Sequence, residues 1–157
     1  MSIKDLKIWP MCLGLLLTFT ARADHLVQAI HEGDIESLQS MLNVGTEIDQ
    51  PGGSWVDRGS TRMYFVRGSA LHYAVQLGHE DMVRLLIEHG ATIDVRDRND
   101  LTPLHNAAWA GNIGMVTLLI EAGADAQATT PDGDTPLSRA LDNNRTEVAE
   151  YLQARFY

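Results

Sequence analysis

His72 and His105 are the residues whose type and spacing most invite chemistry: two imidazoles in one local setting, 33 positions apart. Side by side they could hold a metal or pass a proton, and the 157 residues also carry 21 Asp and Glu. The pattern stops short of a site. Two histidines without a third ligand make a poor zinc centre. His31-Glu32-Gly33-Asp34 and His79-Glu80-Asp81-Met82 both miss the His-Glu-x-x-His spacing, and the single cysteine is Cys12, near the start. Neither a Gly-x-Ser-x-Gly elbow nor a phosphate-binding glycine loop occurs. Asp132-Gly133-Asp134 opens like a calcium loop, but Pro136 and Leu137 stand where its oxygen ligands should continue. His25, His31, His79 and His89 are scattered and expected at the surface. No catalytic residue, metal or cofactor is assigned.

The two histidines belong to a longer recurring unit. Ser69-Ala70-Leu71-His72-Tyr73-Ala74-Val75 returns 33 positions on as Thr102-Pro103-Leu104-His105-Asn106-Ala107-Ala108, and again as Thr135-Pro136-Leu137-Ser138-Arg139-Ala140-Leu141. Thr102 and Thr135 can cap orphan amides at a helix start, and Pro103 and Pro136 occupy the first helical position, where a missing amide proton does no harm. A glycine turn follows at Gly78-His79 and Gly111-Asn112, then a second apolar helix, then Gly90-Ala91 or Gly123-Ala124, where a left-handed residue ends the helix. One such unit cannot bury its apolar face alone, so a fixed period implies stacking. The apolar stripes are therefore core.

In these landmarks the chain resembles ankyrin repeats. The resemblance implies an all-α repeat, a solenoid of about four helix-turn-helix units joined by β-hairpin loops. The units are expected near 24–50, 69–94, 95–126 and 127–157. It also implies that His72 and His105 bond to the capping residue and to neighbouring backbone, linking one unit to the next. The first unit is degenerate: Leu26, Ala29 and Gly33 match Leu71, Ala74 and Gly78 at an offset of 45, so 12 residues have been inserted. Polar Ser37 and Ser40 suit an N-terminal cap, and the drifting fourth unit, with Ser138 for histidine and Asn144 for glycine, suits a C-terminal one.

Residues 1–23 differ from the rest. Lys4 and Lys7 precede an apolar run from Ile8 to Thr20, and Ala21-Arg22-Ala23 has the form of a cleavage signal, so a secretory signal peptide is expected over 1–23 and a repeat domain over 24–157. The run is shorter than the ~20 residues a spanning helix needs. Periplasmic export is the expectation, with secretion as the alternative. Cleavage would remove Lys4, Lys7 and Arg22 from the 12 basic residues and Asp5 from the 21 acidic ones, leaving 9 against 20 and a net charge of −11. So acidic a domain is a poor partner for nucleic acid. It would also hold no cysteine, so stability must come from the stacked core.

The insertion covers about 51–68. Two strand-like runs flank Asp57-Arg58-Gly59-Ser60, which predicts an extended hairpin. Trp55, Tyr64 and Phe65 beside Arg58, Arg62 and Arg67 are the residue types that dominate binding hot spots, and this is the only basic stretch in an acidic domain.

The resemblance implies protein binding through the hairpin tips and the exposed ends of the first helices, which line one concave face. Residue by residue, the tips offer Phe65 and Arg67, then Arg98, Asn99 and Leu101, then Pro131, Asp132 and Asp134. The helices offer His31 and Glu32, Gln76 and Leu77, Trp109 and Ala110, and Asp142 and Asn143. Trp109 stands out as a large aromatic where stacking needs none. The expected function is a monomeric, non-catalytic periplasmic module that stabilises or inhibits a protein partner. That partner would be a periplasmic enzyme served by an accessory protein, or a toxin blocked by an immunity protein. The alternatives are a secreted effector that binds a host protein and an enzyme with a site built on the insertion and His72.

Overall fold

The computed structural model describes residues 19–50 and 68–157. The hairpin expected in the insertion, and most of the expected signal peptide, lie outside the described residues. Among those described are eight helices and no strand, arranged as four pairs: α1 Phe19–Glu32 with α2 Ile35–Asn43, α3 Ala70–Leu77 with α4 Glu80–Glu88, α5 Pro103–Ala110 with α6 Ile113–Glu121, and α7 Pro136–Asp142 with α8 Thr146–Phe156. The first helices form one row, α1 on α3, α3 on α5 and α5 on α7, while α2 packs on α4 and α6 on α8. The all-helical solenoid is as expected. α1 begins upstream of Ala23, the expected end of the leader, and runs through it without a break.

Local sequence accounts for the ends of these helices. Asp34 and Asn112 accept the amides of Ser37 and Met115, each at 3.0 Å, at the starts of α2 and α6. Gly78 and Gly111 close α3 and α5 at φ of 77° and 81°, a left-handed geometry that glycine adopts without penalty. In the fourth unit Asn144 does the same work at φ 56°.

The tips between units two and three and between units three and four are hairpin turns closed by hydrogen bonds, with no strand among the described residues. The Asp97 amide bonds to the Leu101 carbonyl at 2.9 Å and the Asp100 amide to the Asp97 carbonyl at 3.0 Å. Thr130, Gly133 and Asp134 repeat both bonds in the next tip, at 3.0 and 2.9 Å. This is a tight turn followed by a left-handed residue, Asp100 or Gly133, the form of a three-residue hairpin loop.

Stacking buries the core completely in places. Ile30, Val75 and Ala108 occupy one repeat position and are 0, 2 and 0 % exposed; Leu141, the fourth member, is 56 % exposed because no unit lies beyond it among the described residues. A polar ladder runs along the loops after the second helices. The Asp49 carboxylate takes the Thr92 amide at 2.9 Å, Asp94 takes the Asp125 amide at 3.2 Å, and Gln127, at the same position one unit on, donates to the Phe156 carbonyl at 2.8 Å.

Candidate functional site

The two histidines are structural. In unit two the Ser69 amide donates to Nδ1 of His72 at 3.3 Å, and Nε2 donates to the Leu101 carbonyl of the next tip at 2.9 Å. In unit three the Thr102 amide and Nδ1 of His105 lie 3.2 Å apart, and Nε2 reaches the Asp134 carbonyl at 3.2 Å. A backbone amide can only donate, so both rings are neutral with the proton on Nε2. Burial is the main cause that lowers both pKa values, opposed by the bonds to the Leu101 and Asp134 carbonyls. Ser138 takes the histidine position in unit four and turns back on its own unit, donating to the Thr135 carbonyl at 2.9 Å. Among the described residues no three His, Cys, Asp or Glu side chains are grouped to hold a metal. Of the four scattered histidines His31 is exposed, whereas His25, His79 and His89 are half-buried, a correction to their expected exposure.

A groove of about 210 Å³ is bounded by the Asp97–Leu101 tip and by α3 and α5. Gln76, Asn99, Leu101 and Trp109, all expected there from the sequence, line it together. Trp109 is 51 % exposed at the end of α5. The backbone beneath it is fixed, since Arg145 Nε donates to its carbonyl at 3.1 Å.

Asp97, Tyr73 and Asn106 also line the groove and were not anticipated. Asp97 holds the tip in shape: one carboxylate oxygen accepts the amides of Asn99 at 2.7 Å and Leu101 at 3.0 Å. Tyr73 and Asn106 share one repeat position with Arg139, so three unlike residues fall between positions that hardly vary. That contrast was the available signal.

The other expected residues are dispersed. Leu77 is half-buried and packs against the core. Arg98 and Asp132 are exposed on successive tips, and Asp142 is exposed one repeat beyond Trp109. Asp134 is engaged within the fold: its carboxylate pairs with Arg139 at 3.3 Å and its carbonyl receives His105. Trp55, Arg62, Tyr64, Phe65 and Arg67 lie outside the described residues.

The family model for ankyrin repeats, in three copies, matches residues 26–130, most of the chain. The chain belongs to the ankyrin-repeat family. The match stops before α7, and the stacked geometry adds the fourth unit. Ankyrin repeats form protein-binding modules, which sets the class of function. An E3 ubiquitin-protein ligase of Arabidopsis thaliana is 32 % identical over 85 residues, 54 % of this chain and 15 % of the ligase. The human 2-5A-dependent ribonuclease is 31 % identical over 80 residues, 50 % of this chain and 9 % of the enzyme. A potassium channel of Oryza sativa subsp. indica is 39 % identical over 75 residues, 48 % of this chain and 7 % of the channel. The chain thus spans less than a sixth of the length of these relatives. A ligase, a ribonuclease and a channel share the repeat segment and differ in activity, so the likeness carries the scaffold alone.

Proposed function

We propose that this ankyrin array is an exported, non-catalytic module that captures one periplasmic protein on its concave face and stabilises or inhibits it. The observation that carries the binding assignment is Trp109: a half-exposed indole at the end of α5, beside a groove, at a position where stacking requires no aromatic ring. Exposed tryptophan in a concave site is the residue type that most often anchors a protein interface. The periplasmic address is supported by the basic, apolar and Ala-Arg-Ala pattern of residues 1–23. The acidic domain disfavours nucleic acid as the captured species, and no described helix is long and apolar enough to cross a membrane.

Trp109→Ala tests the assignment. Affinity purification from a periplasmic fraction, followed by mass spectrometry, should recover a partner with the wild-type chain and lose it with the variant, while the two melt within a degree or two of one another. Undiminished capture together with a clearly lowered melting temperature would mean that the ring belongs to the core and the binding assignment fails. A toxin as the recovered partner selects the immunity role, and a periplasmic enzyme selects the accessory role.

A further inference from the structure

We infer that the groove beside Trp109 receives an arginine side chain presented by the partner protein. The inference deepens the proposed binding role and rests on it. The space, about 210 Å³, suits one large side chain and not a helix. Its lining is specific in chemistry. Trp109 offers a half-exposed aromatic ring, Asp97 a carboxylate, and Gln76 and Asn106 two carboxamides whose carbonyl oxygens can accept hydrogen bonds. A planar guanidinium uses all of these, stacking on the indole while its donors reach the carboxylate and the amides.

Other occupants fit less well. An aliphatic or phenyl side chain would strip water from Asp97 and two carboxamides and return no hydrogen bond. A partner carboxylate would meet the Asp97 charge. A lysine brings the charge without the flat face, and its ammonium is more costly to dehydrate. Among the described residues no Arg or Lys lines the groove. Arg96 donates to the carbonyls of Asp100 at 2.8 Å and Thr129 at 3.0 Å, and Arg139 is paired with Asp134. Asp97 needs no reorganisation, because the Asn99 and Leu101 amides already fix one of its oxygens. Asp132 and Asp142 extend the negative surface toward the fourth unit, where a basic flank beside the arginine would be drawn.

The test uses the ¹⁵N-labelled chain and the indole N–H resonance of Trp109, assigned from Trp109→Phe. The probes are N-acetyl-arginine amide, the uncharged N-acetyl-citrulline amide of nearly the same shape, and N-acetyl-phenylalanine amide. The arginine probe should shift the resonance saturably and bind at least about fivefold more tightly than citrulline. Asp97→Asn keeps the oxygen that holds the tip and removes the charge, so it should bring the two probes to near parity while the other resonances stay in place. Equal binding of arginine and citrulline to the wild type, tighter binding of the phenylalanine probe, or no saturation would overturn the inference. If Trp109→Ala loses partner capture while arginine and citrulline bind alike, the groove remains the binding face and only the arginine assignment falls. If Trp109→Ala retains capture, both fall.

Discussion

Asp100 has the least comfortable backbone of the binding tip. It adopts φ 58° at the position that Gly133 holds in the next tip at φ 87°. A side chain there pays for a left-handed conformation, less for Asp than for most residues, and glycine removes the strain while loosening the unfolded chain. Asp100→Gly should therefore raise stability by about 0.5 kcal/mol in a denaturant melt. An unchanged or lower midpoint would show that the Asp100 side chain contributes something beyond its backbone, whose carbonyl already receives Arg96. The caps and turns of this kind were readable in advance, because Thr, Pro, Gly and Asn each act within one turn of their own position. Asp97 was not readable: its worth depends on which side chains gather around it, and those come from α3 and α5.

At the scale of the helix, burial follows position in the repeat. Leu104 on α5 is 0 % exposed and closed in by both neighbouring units, whereas Leu141 on α7 is 56 % exposed. Leu104→Ala should cost about 2–5 kcal/mol, since it empties a packed site, and Leu141→Ala should fall within about 0.5 kcal/mol of wild type. Paired urea titrations check this; comparable losses would mean that the last row is covered in solution. The period of 33 made these helices and their inward faces legible. The hairpin tips were legible from their turn residues, since Asp132-Gly133 supplies the left-handed position that closes the loop. Leu77 sits in a way that the period left open. It follows Gln76 at the end of α3, and only the packed structure shows which of the two adjacent residues faces the groove.

For the whole array, His72 and His105 tie stability to pH. Both are buried and neutral, with Nδ1 facing a backbone N–H, so the folded form resists protonation and each folded pKa lies below its ordinary value near 6.5. Their contribution is complete above pH 6.5. It is lost as the pH falls below that value and through the depressed folded pKa, because only the unfolded chain takes up the protons readily. Asp97 opposes this shift at His72; Asp134 opposes it at His105, where Arg139 and Arg96 reinforce it. Melting temperature should fall between pH 7 and pH 5, and the fall should be shallower in a His72→Gln, His105→Gln double variant. A flat profile in the wild type would remove the coupling. The two rings fasten unit two to three and unit three to four, so acid should loosen both interfaces in the same interval. Ser138 has the opposite meaning. It satisfies itself on Thr135, and Leu141 beside it lies uncovered. To a protein engineer this end is a coupling socket with its grease but without its pin: a grafted fifth repeat would find an apolar seat, and Ser138→His would supply the missing fastener.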